Sequence, residues 1–125
     1  MRLMIVDDSN MIRTRISRVV QNGGIKGIVL AGLAKNGREA LRLARATRPE
    51  VVTMDLTMPE MDGIECITEL LRFDPKINIL VVSALSDKST AIQALKLGAR
   101  GFVAKPFTDE ELQMALLDVS DARQE

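Results

Sequence analysis

The chain has 125 residues, of which 46% are apolar and only 2% aromatic, and its 17 basic residues balance its 17 acidic ones. A net charge of zero argues against nucleic acid as a partner, because phosphate binding needs a basic excess or a basic stripe. The absence of histidine excludes Ser-His-Asp and Cys-His catalysis and the usual zinc and haem ligands.

Length, cysteine content and the N-terminal sequence indicate the class of protein. The length fits a single domain over residues 1–125, and the lone cysteine, Cys66, cannot form an internal disulfide. No apolar run approaches the ~20 residues of a membrane span. The opening Met1–Asp8 stretch is too short, and acidic too soon, for a signal peptide. We therefore expect a soluble, cytoplasmic protein with no membrane partner, in which Cys66 is a small packing residue.

The first half of the chain predicts three strand-helix units. Short apolar runs at residues 3–6, 28–31 and 51–54 predict strands, and the first is typical of a strand buried on both faces. Ser9 or Asn10 can cap the first helix and Asn36 the second, while Gly23-Gly24 and Pro49 end them. The expected buried faces of the three helices are Ile12, Ile16, Val19 and Val20; then Ala40, Leu41 and Ala44; then Ile64, Ile67, Leu70 and Leu71.

The second half predicts two more units after a loop that contains Pro59 and Gly63. Strands are expected at residues 77–82 and 102–104. Asp62 and Asp87 are expected to be turn or cap residues, and Gly98 to end the fourth helix. Thr108 and Glu111 form a Thr-x-x-Glu capping box. The buried faces of these helices are predicted as Ala91, Ala94, Leu95 and Leu97, and as Leu112, Ala115, Leu116 and Val119.

Regular alternation of these elements predicts the fold class. Five strand-helix units at a spacing of roughly 25 residues are typical of an α/β, doubly wound parallel sheet with helices on both faces. No low-complexity linker or composition change marks a second domain.

Polar side chains follow four of the five predicted strands. These are Asp7 and Asp8, Asp55, Ser83 and Lys105. A lone aspartate after a strand is more often a turn former or a helix cap than a nucleophile. In an open parallel sheet, however, the carboxyl ends of the strands share one edge, where ligands bind. If the four strands are neighbours, we expect these side chains to converge in one shallow pocket.

The charge of that pocket predicts phosphoryl chemistry. Three carboxylates and one ammonium leave a net charge of about −2, which favours a divalent cation. Oxygen ligands without histidine or cysteine favour Mg²⁺. Asp55 would then be a nucleophile that forms an aspartyl-phosphate, while Lys105 places a positive charge on the phosphoryl oxygens and Ser83 donates a hydrogen bond.

Several motifs together resemble a response-regulator receiver domain. They are Asp7-Asp8, Met54-Asp55, Met58-Pro59-x-Met61-Asp62-Gly63, Ser83-Ala84, and Gly98-Ala99-Arg100-Gly101-Phe102-x-x-Lys105-Pro106. The chain is similar to the stand-alone, CheY-type chemotaxis receivers from residue 3 to about residue 119. The resemblance implies a flavodoxin-like sheet of order 2-1-3-4-5.

The resemblance also implies a role for each site residue. Asp55 would accept a phosphoryl group from a phosphohistidine on a sensor histidine kinase. Mg²⁺ would be held by Asp8, Asp55 and the main-chain carbonyl of Thr57, with Asp7 supporting this metal site through water or hydrogen bonds. Ser83 and Lys105 would hold the phosphoryl group.

Further expectations concern the switch and the lifetime of the phosphorylated state. The resemblance implies that Phe102 turns inward when Ser83 moves toward the phosphate, and that Lys105-Pro106 is a cis peptide. Ser83 replaces a frequent threonine, and Phe102 a frequent tyrosine. An apolar Leu85 offers attacking water no hydrogen bond, which predicts slow self-hydrolysis.

The leading prediction is a stand-alone monomer that binds a downstream protein, such as a flagellar motor switch. Three alternatives remain, and the first is the N-terminal receiver of a longer regulator. A magnesium-dependent phosphatase with an aspartyl nucleophile is disfavoured, since Thr57 stands where such enzymes carry a second aspartate. A flavodoxin is disfavoured because the chain has no Trp or Tyr to stack on a flavin. We therefore expect a phosphoacceptor that assists its own phosphorylation and dephosphorylation, not a turnover enzyme.

Overall fold

Strands and helices alternate along the chain. A computed structural model describes residues 1–22, 27–58 and 61–124, with side chains through Ser120. The strands are β1 (Arg2–Val6), β2 (Val29–Ala34), β3 (Val51–Met54), β4 (Asn78–Ala84) and β5 (Gly101–Lys105). The helices are α1 (Asn10–Asn22), α2 (Gly37–Thr47), α3 (Gly63–Phe73), α4 (Lys88–Leu97) and α5 (Asp109–Gln124), and a short 3₁₀ turn, Leu85–Asp87, precedes α4.

The strands form one parallel sheet in the order β2-β1-β3-β4-β5. Both the fold class and the strand order are therefore confirmed. β1 and β3 lie inside the sheet, where all their side chains except that of Arg2 are buried. This explains why their sequences are continuous apolar runs rather than alternating ones.

Two apolar cores cover the two faces of the sheet. Because successive strand residues point to opposite faces, Met4 and Val6 of β1 join one core while Leu3 and Ile5 join the other. The first core is closed by α2, α3 and α4, and the second by α1 and α5. Helices on both faces leave the carboxyl edge of the sheet open for a ligand.

Two of the predicted helix starts are capped as the sequence indicated. The amide of Ile12 donates to Ser9 Oγ, which makes Ser9 and not Asn10 the cap of α1. The amide of Glu39 donates to Asn36 Oδ1 at 2.8 Å. The Gly23-Gly24 stop and Pro59 lie outside the described residues.

The capping box and the third helix also form as predicted. Thr108 and Glu111 exchange backbone-to-side-chain hydrogen bonds at 3.0 and 3.1 Å. The amide of Glu65 donates to Asp62 Oδ1 at 2.8 Å, so Asp62 is the cap of α3.

Strand β2 is longer than predicted. It begins at Val29 and continues to Ala34, whereas the sequence predicted residues 28–31. Gly32 hides the continuation in the sequence, because glycine weakens a strand pattern. In the structure Gly32 pairs with Met4 of β1 after an irregularity in the register, and the chain then remains paired to its end.

The predicted buried face of α4 is wrong at two positions. Ala91 and Ala94 are buried, but Leu95 and Leu97 are each 42% exposed, and Ile92 is 46% exposed. Only the small alanine side chains fit against the sheet, so α4 leaves three aliphatic side chains at the surface. Among the described residues, no helix is long and apolar enough to cross a membrane.

Candidate functional site

The carboxyl ends of four neighbouring strands bring together the polar side chains that the sequence singled out. Asp7 and Asp8 follow β1, and Asp55 follows β3. Ser83 is the second-last residue of β4, which runs to Ala84, and Lys105 is the last residue of β5. Carboxylate oxygens of the three aspartates lie within 4.8 Å of one another. The predicted convergence is therefore present.

Lys105 is held between two of the carboxylates. Its Nζ lies 2.8 Å from Asp7 Oδ2 and 3.6 Å from Asp55 Oδ1. The other oxygen of Asp7 accepts a hydrogen bond from the amide of Ser9 at 2.9 Å. Burial alone would lower the pKa of Lys105, but the two carboxylates outweigh burial and raise this pKa. Lys105 therefore stays charged in the site.

Asp55 has a strongly perturbed ionisation. Its side chain is almost fully buried, and the loss of water contact raises its pKa from 3.8 to about 7, with the negative charge of Asp7 adding to the rise. The charge of Lys105 and the amide of Thr57, which donates to Asp55 Oδ1 at 3.3 Å, act in the opposite direction. A buried carboxylate with this pKa is a typical feature of a reactive site.

Ser83 makes a contact that the sequence did not indicate. Its Oγ is fully buried and donates a hydrogen bond to Asp87 Oδ2 at 2.8 Å. Thr57 Oγ1 donates to the same carboxylate oxygen at 3.3 Å. Asp87 stands at the start of α4, but its side chain makes no capping hydrogen bond.

The prediction that Asp87 is only a turn or cap residue is therefore wrong. The 3₁₀ turn Leu85–Asp87 carries this carboxylate back over the end of β4, so that it faces Ser83 and not the amides of α4. Nothing in the sequence beyond its position four residues after Ser83 could have revealed this contact.

Gly63 allows α3 to begin close to the end of β3. A Cβ at this position would lie 2.6 Å from the carbonyl oxygen of Asp55 and 2.6 Å from Leu56 Cα. The amide of Gly63 donates to the carbonyl of Leu56 at 3.0 Å. Since both neighbours are backbone atoms, only glycine fits here, and this close approach fixes the main chain that carries Asp55.

Two features implied by the resemblance concern β5. The Lys105-Pro106 peptide is cis, as predicted. Phe102 pairs with Val81 in the register of β4 and β5, and its partly buried side chain packs against the first core. Its role as a switch stays a prediction.

The acidic cluster opens into a shallow cavity. The cavity has a volume of about 440 Å³ and is lined by Asp8, Asp55, Thr57, Ala84, Ser86, Asp87 and Lys105. Asp8 is exposed to solvent, whereas Asp7 is buried and already paired with Lys105. Oxygen donors without nitrogen or sulfur suit a hard divalent cation such as Mg²⁺, so the residues present fit the predicted metal.

A larger groove lies elsewhere on the surface. It has a volume of about 780 Å³ and runs between α1 and α5, where Asp109 is the single carboxylate of its lining. Size alone does not make it the functional site, because its lining pairs two arginines with one carboxylate and has no cluster of carboxylates like the one at the strand ends.

Comparison with known proteins identifies relatives over nearly the whole chain. The family model described as "Response regulator receiver domain" matches residues 3–117. The chain is 40% identical to a chemotaxis protein CheY of Thermotoga maritima over 119 residues, which is 95% of this chain and 97% of that protein. It is 43% identical to a protein-glutamate methylesterase/protein-glutamine glutaminase of Halobacterium salinarum over 82% of this chain but only 29% of that protein. Among solved structures, a chain of the CheX-CheY-BeF₃-Mg²⁺ complex from Borrelia burgdorferi is similar with a TM-score of 0.87 and 27% identity, covering 95% of this chain and 88% of that one.

Proposed function

This chain belongs to the response regulator receiver domain family, and we propose that it is a CheY-type chemotaxis response regulator whose phosphoacceptor is Asp55. The observation that carries the proposal is the placement of the buried Asp55 carboxylate beside Lys105, at the floor of an open acidic cavity. A receiver is a phosphoacceptor and not a turnover enzyme, so a single nucleophile with one strong cationic neighbour is what the function needs.

In the transfer step, Asp55 acts as the nucleophile. A carboxylate oxygen of Asp55 forms a bond to phosphorus while the N–P bond of a phosphohistidine breaks, and the histidine nitrogen takes up a proton. Lys105 is positioned to neutralise charge on the phosphoryl oxygens, because its ammonium is already 3.6 Å from Asp55. Ser83 would donate a hydrogen bond to a phosphoryl oxygen.

Asp8 and Asp55 would hold Mg²⁺ together with the main-chain carbonyl of Thr57. Asp8 and Asp55 both line the cavity, Asp8 as an exposed side chain and Asp55 as a buried one. Asp7 supports this metal site from beneath, since its pairing with Lys105 keeps the ammonium in place. When bound, the cation supplies positive charge that lowers the pKa of Asp55 and offsets the charge of the phosphoryl group.

Phosphorylation would change the conformation of the elements that contain Ser83 and Phe102. Phosphorylation biases two conformations of a surface formed by α4, β5 and α5. The exposed side chains of Ile92, Leu95 and Leu97 give α4 an apolar surface that suits a protein partner. The partners would be a sensor histidine kinase and a downstream protein such as a flagellar motor switch, with the receiver acting as a cytoplasmic monomer.

Residues 1–125 would form one receiver domain that acts alone. The Thermotoga maritima relative, which the chain covers almost completely, favours this arrangement. The second candidate is the N-terminal receiver of a longer regulator, which the Halobacterium salinarum relative favours, since the chain matches only 29% of that protein.

The test is phosphorylation by acetyl phosphate in the presence of Mg²⁺, followed by intact-protein mass spectrometry. We expect a gain of one phosphoryl group in the wild type and none in Asp55→Asn. Asp118→Asn makes the same chemical change at an exposed position of α5 and should be phosphorylated normally. Phosphorylation of Asp55→Asn to the wild-type extent, or catalytic release of phosphate from many esters, would contradict the proposal.

A further inference from the structure

Asp87 contacts the hydroxyl group that the proposed function assigns to the phosphoryl group. Ser83 Oγ donates to Asp87 Oδ2 at 2.8 Å, the length of a strong hydrogen bond from a hydroxyl to a carboxylate. Ser83 is fully buried, whereas Asp87 is partly exposed. A hydroxyl has a single proton to donate, which means that Ser83 cannot donate to Asp87 and to a phosphoryl oxygen at the same time.

The same carboxylate also binds the loop that follows β3. Thr57 Oγ1 donates to Asp87 Oδ2 at 3.3 Å, while the amide of Thr57 donates to Asp55. One oxygen of Asp87 therefore connects the ends of β3 and β4 across the mouth of the cavity. Asp87 itself lines that cavity, so its negative charge faces the space in which a phosphoryl group would stand.

Asp87 makes these contacts at the expense of the usual role of an aspartate at a helix start. Such a residue normally accepts a hydrogen bond from an amide of the first helical turn, which stabilises the helix. The side chain of Asp87 makes no such bond with α4. Its carboxylate is committed to the two hydroxyls of the site.

We propose that Asp87 is a positioning residue that holds the Ser83 hydroxyl away from the phosphoryl position and so opposes phosphorylation. This inference rests on the proposed function. In the unphosphorylated protein Ser83 donates to Asp87. Binding of a phosphoryl group takes this donor away, leaves the Asp87 carboxylate without its strongest partner, and displaces the turn that leads into α4.

The test measures the affinity for beryllofluoride, a phosphoryl analogue, at saturating Mg²⁺. Isothermal titration calorimetry is suitable because the chain has no Trp or Tyr whose fluorescence could report binding. Asp87→Ala should bind beryllofluoride about tenfold more tightly than the wild type, since the competing charged acceptor is gone. Asp87→Asn keeps the shape of the side chain and loses its charge, and it should change the affinity in the same direction by a smaller factor. Asp118→Asn is the matched control and should match the wild type.

A double-mutant cycle with Ser83→Ala separates positioning from a general effect of charge or fold. Asp87→Ala increases the affinity by one factor in the wild type and by another in the Ser83→Ala background. If Asp87 acts through Ser83, the second factor should be smaller than the first by at least about threefold. An equal effect in both backgrounds would overturn the inference, because the charge of Asp87 alone would then account for it.

Other outcomes distinguish failure of the Asp87 inference from failure of the proposed function. Unchanged or weaker binding by both Asp87 variants overturns the inference and leaves the proposed function intact. Failure of the wild type to bind beryllofluoride, or equally tight binding by Asp55→Asn, overturns the proposed function and the inference with it.

Discussion

The ammonium of Lys105 lies closer to Asp7, at 2.8 Å, than to the proposed nucleophile Asp55, at 3.6 Å. Asp7 is buried, and both of its carboxylate oxygens have partners. Asp7 therefore fixes the position of the Lys105 ammonium, which remains near enough to Asp55 to contact a phosphoryl group bound there.

Replacement of Lys105 by methionine should destabilise the metal-free protein. It leaves the carboxylates of Asp7 and Asp55 facing each other with no cation between them, and loss of one partner of a buried ion pair costs about 3 kcal/mol. Urea denaturation in the presence of a chelator measures this free energy of unfolding. Lys96→Met removes an exposed lysine of α4 and should change stability little. A Lys105→Met protein as stable as Lys96→Met would contradict the expectation.

Stability of the metal-free protein should fall as the pH rises from about 4 to about 7. The pKa of Asp55 is about 7 in the folded protein, against an ordinary value of 3.8 for this side chain, so between these values the folded state binds a proton that the unfolded state has released. Folding then becomes less favourable with increasing pH. Asp55→Asn lacks this dependence and should be more stable than the wild type by about 2–4 kcal/mol at pH 8.

Denaturation curves of both proteins at several pH values, in the presence of a chelator, test this expectation. The free energies of unfolding of the two proteins should converge near pH 4. Added Mg²⁺ should stabilise the wild type much more than Asp55→Asn. A difference between the two proteins that does not change with pH would show that ionisation of Asp55 is not its cause.

Substitution of Gly63 by alanine should damage both stability and the site. The added Cβ would meet the backbone of Asp55 and Leu56 at 2.6 Å, and neither can move without shifting the end of β3. We expect a loss of about 1–3 kcal/mol in the free energy of unfolding, together with slower phosphorylation. Gly32→Ala is the matched control, because its Cβ would meet only side chains at ordinary contact distances of 3.7 Å and more. Equal behaviour of the two variants would rule out the steric argument.

Replacement of Leu85 by glutamine should shorten the lifetime of the phosphorylated protein. Leu85 is 64% exposed in the turn before α4, where an apolar side chain offers water no hydrogen bond. A polar side chain there can orient an attacking water, and one such hydrogen bond corresponds to a factor of about ten in rate. The decay of radiolabelled phosphoprotein measures the half-life, with Leu97→Gln at the far end of α4 as the control. A half-life of seconds for the wild type would contradict the expected slow hydrolysis.

Cys66 should not react with thiol reagents in the folded protein. It is fully buried, and burial raises the pKa of its thiol to about 12, with Glu65 and Asp62 adding to the rise. The reactive thiolate is then scarce at neutral pH. Labelling with a chromogenic disulfide should be slow in buffer and complete in urea, and rapid labelling under native conditions would show that this helix opens readily.

Particular residues show what the sequence could and could not predict. Asn36 and Thr108 were predictable as caps because capping depends on a few neighbouring residues, and both form the expected hydrogen bonds. Leu95 and Leu97 were wrongly predicted as buried, because helical spacing shows which residues share a face but not how much of that face the sheet covers. Asp87 was misread for a related reason. The direction of its carboxylate depends on the turn that follows β4, and local sequence does not determine that turn.

By itself, the sequence determined the alternation of strands and helices, the parallel α/β class and the residue types at the strand ends, because periodicity, capping and burial are local properties. It also contained the motifs through which this chain resembles the receiver family. Only the tertiary structure decided the distances on which the chemistry depends. Lys105 pairs first with Asp7, Ser83 donates to Asp87, and Gly63 lies against the backbone of Asp55. These contacts join residues brought together by strand order and loop geometry, so they follow from the packing of the whole chain.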